Sequence, residues 1–368
     1  MTPATDQTKQ EELIVSFCIP VYNNAEAAEK IVRGILCSDS TRFEVIVSDD
    51  ASTDDAEERL SRIHDSRFRY FRNEKNLGAH KNWEHALELG HGEYLYIVMG
   101  RDKINGECID RLIEILEYAH ENNITLLQDG YDTSKDIQVY EGINAMIRFL
   151  EIIHPTGTIF DRKIFASIPD RTRYFEIADM YPENYVRHDM LLKGRGASVM
   201  SGIFQYPSMV IDREKIKSTV EYGKDIYEMY YSPKRRTRQI HEIIDMIEND
   251  SEKIFSIQDK DKFFRIKFTE LLDHVSIKWR RFCSTQEKQA HYGQPVMKIS
   301  TLEMIRNVFT AYRETLRHLN EKGICTPSKQ KIMKSCVTKM TVKALSRLVL
   351  EPFRIWEILG FIKRVLKG

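Results

Sequence analysis

From Leu13 to Gln128, short apolar runs alternate with stretches in which apolar residues recur every third or fourth position. The runs Leu13–Ile19, Phe43–Val47, Phe68–Phe71 and Ile124–Leu127 predict strands. The spaced stretches Ala25–Leu36, His80–Leu89 and Cys108–Glu121 predict helices, with Ala28, Ile31, Val32 and Ile35 on the inner face of the first. Between the last two helices lies GEYLYIVMGRDKI, Gly92 to Ile104, in which Leu95, Ile97 and Met99 alternate with Tyr96 and Val98. A strand apolar on both faces belongs inside a mainly parallel sheet. Strands alternating with helices of this length mean βαβ units, although the strand order is not legible.

Beyond Gln128 the rhythm changes. Ile143–Ile153 and Asn184–Leu192 read as helices, Thr158–Phe160 as a short strand after the loop His154–Thr158, and Val199–Ile211 as one or two further strands. After Arg213 the pattern is helical, with Ile257–Phe282, Leu302–Leu319 and Ile332–Leu350 as the longest segments. The expected organisation is a disordered tail over 1–12, one half-domain over 13–128, a second over 129–212, and a helical region over 213–368.

Three strand exits carry polar chemistry. The first is Pro20-Val21-Tyr22-Asn23-Asn24. The second is Ser48-Asp49-Asp50-Ala51-Ser52-Thr53-Asp54-Asp55, in which Ser52 or Thr53 is expected to cap a helix beginning near Asp54. The central run ends in Gly100-Arg101-Asp102-Lys103. Carboxyl ends of parallel strands share one edge, where open α/β sheets bind ligands, so these exits place an aromatic ring and several carboxylates around one cleft.

Composition narrows the class. With 368 residues and 42% hydrophobic content the chain can bury a sizeable core. Lys plus Arg equals Asp plus Glu at 55 each, so total charge favours no particular partner, and no nucleic acid is expected. Residues 329–368 hold ten basic and two acidic side chains, a surplus of +8 balanced by −8 in the remainder. The six cysteines are scattered without a CxxC pair, the first dozen residues lack an apolar stretch, and no long apolar window occurs. These features predict reduced thiols in a cytoplasmic protein. No GxGxxG follows the first strand, which disfavours a dinucleotide-dependent dehydrogenase. No Gly-rich phosphate loop followed by Lys appears near that strand either, which disfavours a nucleotidyltransferase.

The segments VSFCIPVYNNAEAAEKIVRGIL, FEVIVSDDASTDD and NEKNLGAHKNWEHALELGHGEYLYIVMGRD, in that order over Ile14 to Arg111, resemble the family-2 glycosyltransferases of GT-A fold. A more diffuse likeness runs from HPTGTIFDRKIF to YPENYVRHDMLL. The resemblance implies an α/β, Rossmann-like, mainly parallel sheet flanked by helices, with a mostly α-helical C-terminal extension. It implies inverting transfer of a sugar from a nucleotide donor, most simply a UDP-sugar, to a saccharide or lipid-linked acceptor in cell-surface polysaccharide assembly.

By the same resemblance, Pro20, Val21, Tyr22 and Asn23 wall the base and Asp50 accepts its N–H. Asn76, Gly78 and Asn82 border the nucleotide. A carboxylate and an aromatic wall suit a uracil ring, which offers one N–H donor and a flat face. Asp102 aligns with the acid that holds Mn²⁺ or Mg²⁺, while Arg101 stands on the ribose side, where an acid is usual. Arg101 and Lys103 could instead supply positive charge to the leaving diphosphate. Asp189 aligns with the base that takes the acceptor's proton, Glu183 is its reserve, and His188 its neighbour. His154, Thr156 and Gly157 resemble the acceptor-side loop. Arg101 also motivates a competing reading, a sugar-nucleotide or glycan binding protein that has lost turnover.

Val342–Leu366 places Leu345, Leu348, Val349, Trp356 and Ile362 among Lys343, Arg347, Arg354, Lys363 and Arg364, with Pro352 breaking it into two amphipathic pieces. Such pieces suit the plane of an anionic membrane surface, or equally packing on protein with the basic side solvated. Lys234-Arg235-Arg236 reads as a solvated helix start.

Overall fold

The computed structural model describes residues 12–99, 102–130, 136–150, 155–174, 182–205, 229, 232–249, 254–285 and 296–350. The chain divides into two compact units, residues 1–209 and 210–368.

The first unit is built on an eight-stranded sheet. Its strands are β1 (Val15–Val21), β2 (Phe43–Asp49), β3 (Phe68–Arg72), β4 (Tyr94–Ile97), β6 (Ile124–Asp129), β7 (Ile137–Tyr140), β8 (Thr158–Asp161) and β9 (Arg195–Val199), in the order β3-β2-β1-β4-β8-β6-β9-β7. The pairs β1–β2, β1–β4, β2–β3 and β6–β9 are parallel. Strand β8 runs antiparallel to both β4 and β6, and β7 antiparallel to β9. A second, two-stranded sheet pairs β5 (Lys103–Ile104) with β10 (Phe204–Gln205).

Burial explains why these segments became strands. Every residue of β2 and β4 is buried, and Phe17 of β1 packs on Phe43 and Tyr96 with centroids 6.0 and 5.2 Å apart. A fully buried side chain of this size contributes about 1.5–3 kcal/mol, and the sheet holds many of them. Helix α1 (Ala25–Leu36) buries Ala28, Ile31, Val32 and Ile35, the face read from its spacing. The other helices are α2 (Ala56–Leu60), α3 (Ala79–Glu88), α4 (Ile109–Glu121), α5 (Gly142–Phe149), α6 (Arg162–Ala166) and α7 (Glu183–Lys193).

Several expectations change. The central strand is shorter than the apolar run, because the backbone leaves the ladder after Ile97, and Lys103–Ile104 then form β5 of the second sheet. Helix α2 is capped by neither Ser52 nor Thr53. The Ser52 hydroxyl accepts from Asn23 N (3.0 Å), and Asp54 accepts from Ala56 N (3.2 Å) and also from Ala25 N at the head of α1 (2.9 Å). One carboxylate thus serves two helix starts. The strand expected from Val199 onward instead ends there as β9, β10 follows at Phe204, and 206–211 lie outside the described residues. Half-exposed β7 carries too little apolar signal to be read from its sequence.

The second unit is helical: α8 (Pro233–Asn249), α9 (Ile257–Asp273), a π turn (His274–Lys278), α10 (Trp279–Ser284), α11 (Thr301–Glu321) and α12 (Pro327–Leu350). Ser256 and Asp259 form a capping box at the head of α9, and Ser300 caps α11. Arg236, expected in solvent, is buried and donates to His274 Nε2 (3.1 Å) and Gln239 Oε1 (3.0 Å). The basic excess of α12 is partly neutralised within the unit, where Lys329 pairs with Glu248 at 3.0 Å and Lys343 with Asp273 at 3.1 Å. No helix among the described residues is long and apolar enough to cross a membrane, and the amphipathic stretch after Leu350 lies outside them.

His241 of α8 stacks on His318 of α11 at 4.3 Å, bonds Thr315 Oγ1 at 3.0 Å, and is pushed down to about 3 by burial and by His318. Asp245 pairs with His318 at 2.7 Å, and Lys322 lies 3.8 Å from the same carboxylate. The folded His241 therefore takes its proton later than the unfolded one as pH falls. Its contribution is complete above the ordinary value of 6.5 and is lost below it toward about 3. Chemical denaturation should show the helical unit weakening by about 1.4 kcal/mol per pH unit across that window. His241→Phe should flatten the dependence.

Candidate functional site

Six strands, β1, β2, β3, β4, β6 and β9, present their carboxyl ends at one edge of the sheet, and antiparallel β8 brings its amino end to the same edge. The direction of the chain reverses across β1, with β2 on one side and β4 on the other, which makes this edge the switch-point crevice of an open α/β sheet.

On the first side of the crevice Asn82 of α3 locks two strand ends together. Its Nδ2 donates to Ser48 O (2.9 Å) and Val21 O (3.4 Å), while its Oδ1 accepts from Ser48 Oγ (2.7 Å) and Asn73 Nδ2 (3.0 Å). All four capacities of the amide are spent and the side chain is buried, so Asn82 builds the crevice. Asp50 is also buried. It accepts from Asn73 Nδ2 (3.0 Å), Leu77 N (2.7 Å) and Gly78 N (2.9 Å), which ties the 76–78 loop to β2 and leaves one lone-pair position of an ionised carboxylate. Gly78 has φ +85°, a conformation that only glycine adopts without strain, and sits at the head of α3.

Asp49 is an anchor. Tyr70 Oη and Arg72 Nη1 donate to its Oδ2 at 2.6 and 2.8 Å, and Ser52 N donates to Oδ1 at 2.9 Å. Burial raises its pKa, but these bonds outweigh burial and hold the carboxyl below the usual range. Burial and the carboxylate push Tyr70 up. The Val21 side chain is buried in the core, and its carbonyl accepts from Asp50 N at 2.8 Å. Tyr22 remains 51% exposed beside half-buried Pro20. Asn23 is turned onto Thr53, whose N donates to Asn23 Oδ1 at 2.7 Å. Asn76 stays exposed at the rim and accepts from Gly78 N at 3.0 Å.

Asp102 follows β4 and is buried, with Thr156 Oγ1 donating to its Oδ2. Its oxygens are the hard donors that Mn²⁺ and Mg²⁺ take. No group of three or more His, Cys, Asp or Glu able to hold a metal occurs among the described residues, so they provide a single carboxylate here and no closed cage. Gly100, Arg101 and His154 lie outside the described residues. Thr156 and Gly157, expected to meet an acceptor, are buried and turned inward. Gly157 has φ +83°, and a Cβ there would lie 2.6 Å from Asp129 O, so the turn and its packing require glycine.

On the second side, α7 carries Glu183, His188 and Asp189. Asp189 is 26% exposed, accepts from His188 Nδ1 at 3.1 Å, and accepts from the Tyr174 hydroxyl. Burial raises its pKa, but the bonds from His188 and Tyr174 and the charge of Arg173 carry it below the usual range, while burial and the carboxylate push Tyr174 up to about 12. Tyr174 is stacked on Tyr185 at 5.2 Å, which fixes its hydroxyl. Glu183 Oε1 lies 3.5 Å from His80 Nδ1 on α3, and its buried Oε2 takes no hydrogen bond. His188 is buried, with its ring beside Asp189. Tyr174 and Asn73 carried no sequence signal, because each acts through a partner distant in the chain.

A cavity of about 640 Å³ opens at the opposite, amino edge beside Leu13, Phe43, Glu44 and Arg67. There Arg67 is held by Asp65 and by the carbonyls of Leu36, Ser38 and Ser40. The carboxyl edge is the candidate site, because the acids and the exposed aromatic ring gather there.

Residues 16–182 match the model of glycosyl transferase family 2. The abequosyltransferase RfbV of Salmonella typhimurium is 27% identical over 161 residues, 42% of this chain and 47% of its own. A GalNAc(5)-diNAcBac-PP-undecaprenol beta-1,3-glucosyltransferase of Campylobacter jejuni is 27% identical over 149 residues, 37% of this chain and 48% of its own. The chain spans less than half the length of these curated relatives. Among solved structures, S. aureus TarS 1-349 in complex with UDP-GlcNAc aligns over 92% of both chains with a TM-score of 0.53 at 16% identity, a likeness of fold alone. The fold is the GT-A arrangement with a helical C-terminal region.

Two outcomes follow from this geometry. Asn82→Asp sets a carboxylate oxygen against the carbonyls of Val21 and Ser48 and should cost about 2–5 kcal/mol in urea unfolding. Tyr174→Phe removes a hydrogen bond to ionised Asp189, and NMR titration should find the Asp189 pKa raised toward the ordinary carboxylate value.

Proposed function

We propose that this chain, a member of glycosyl transferase family 2 through residues 16–182, transfers a sugar with inversion from a UDP-linked donor to a saccharide or lipid-linked acceptor in polysaccharide or glycan assembly. The carrying observation is the convergence, at one carboxyl edge, of the Asp50-bound 76–78 loop, exposed Tyr22 and buried Asp102. Tyr22 and Pro20 cover a base, and the remaining acceptor position of Asp50 takes its N–H. Both relatives named above are sugar transferases, and the TarS structure holds UDP-GlcNAc, which favours a uridine donor.

Asp102 faces the diphosphate. A divalent cation there would neutralise charge on the leaving diphosphate, with Asp102 as its protein ligand. Arg101 and Lys103 stand on either side in the sequence as additional positive charge toward the same group. On α7, Asp189 takes the proton of the attacking hydroxyl. The hydrogen bonds from Tyr174 and His188 keep it ionised before the acceptor arrives. Glu183, paired with His80, borders the acceptor.

The basic excess of 329–368, with Val342 and Leu345 of α12 60% and 44% exposed, supports contact with an anionic membrane at the cytoplasmic face, where lipid-linked acceptors reside. The test is a screen of UDP-sugars with saccharide and lipid-linked acceptors, in Mn²⁺ and then in EDTA. Asp189→Asn should leave UDP binding within about twofold and lower UDP release by roughly 10²–10⁴. UDP binding without release under any condition would select the binding-protein reading.

A further inference from the structure

We infer that Thr156 is the positioning residue of Asp102, held in turn by Gln128, Thr158 and Arg187, so that the helix bearing Asp189 sets the acid that meets the donor. This rests on the reading of Asp102 as the group facing the donor diphosphate.

The observation is a series of buried hydrogen bonds that runs from Arg187 to the Thr156 carbonyl and resumes at the Thr156 hydroxyl. Arg187 Nη2 donates to Thr158 Oγ1 at 2.9 Å, and Thr158 Oγ1 donates to Gln128 Oε1 at 2.9 Å. Gln128 Nε2 donates to the Thr156 carbonyl at 3.1 Å, and Thr156 Oγ1 donates to Asp102 Oδ2. Exposure is 3% for Arg187, 1% for Thr158 and Gln128, 0% for Thr156 and 4% for Asp102, so water does not compete for these bonds. A guanidinium heads the series and a carboxylate ends it; the bond from Gln128 holds the Thr156 backbone, and the hydroxyl on that held residue meets Asp102.

Met99 N donates to Thr156 Oγ1 at 2.9 Å, and the same hydroxyl donates to Asp102 Oδ2. Backbone bonds already shape the turn: Gly157 N to Ile97 O at 3.1 Å, Asp129 N to Gly157 O at 2.7 Å and Thr158 N to Pro155 O at 3.0 Å. To these the hydroxyl adds the bond from Met99 N and the bond to Asp102. Its consequence is to fix the carboxylate plane of Asp102, and a partner that orients a ligating carboxylate is typically worth about 10–100-fold in affinity.

The experiment is calorimetric titration of the full chain with UDP in excess Mn²⁺, with stoichiometry reporting the fraction of folded sites. Thr156→Val, which keeps the shape and removes the donor, should bind UDP about 10–100-fold more weakly at unchanged stoichiometry. Thr156→Ser should restore most of the affinity, and Thr156→Val with Asp102→Ala should bind no more weakly than Asp102→Ala alone. Wild-type affinity in Thr156→Val beside a weakened Asp102→Ala overturns the inference, as do losses that multiply in the double variant. Should Asp102→Ala bind as the wild type does, or the wild type bind no UDP, the donor reading fails and the inference falls with it. Reduced stoichiometry in Thr156→Val with full affinity per site also overturns it.

Discussion

The crevice depends on one rule of buried polar chemistry: an amide side chain taken out of water must have every donor and acceptor met. Asn82 meets that rule by reaching from α3 to the carbonyls of Val21 and Ser48 and to the Ser48 and Asn73 side chains. The ends of β1 and β2 are thereby held at a fixed spacing. Asp50 applies the same rule one residue further, gathering Asn73, Leu77 and Gly78 around a carboxylate that keeps one position unspent. Rigid support beneath and an open rim above are what a binding site on a sheet edge requires.

Charge is organised differently on the two sides. Asp49, Asp50 and Asp102 are buried acids held by bonds from groups near the strand ends, and Asp49 is paired with Arg72. Asp189 is partly exposed and is steadied by a stacked tyrosine and a neighbouring histidine, so it can exchange a proton with a group that arrives from solvent. Asp129, deeper in the sheet, is raised by burial and bonds to Tyr96 and Ser201, which assigns it to the scaffold.

Much of the first half was legible because its strands are apolar on both faces and its helices have clear inner stripes; α1 begins and ends where its spacing places it. The strand exits were legible because acids after a buried run have few structural excuses. What escaped was relational. Asn82 and Thr156 look like loop-facing polar residues until their partners, distant in sequence, are known. Arg236 reads as surface charge because burial of a guanidinium depends on bonds that no local pattern records. Strand β7 escaped because a run of four residues at a sheet edge is too short for its pattern to stand out from a loop.

The reversed direction of β8 gives sheet register a chemical meaning. Because this strand runs against β4 and β6, the turn before it opens beside Asp102, and its first residue, Thr158, aligns with Gln128. Side chains alternate along a strand, so slipping β8 by a single step would bring the aliphatic Ile159 to where a hydroxyl now stands. An insertion far from any ligand, placed in the strand's other end, would then silence the acid without touching it, much as a misaligned key stem spoils a lock whose teeth are sound.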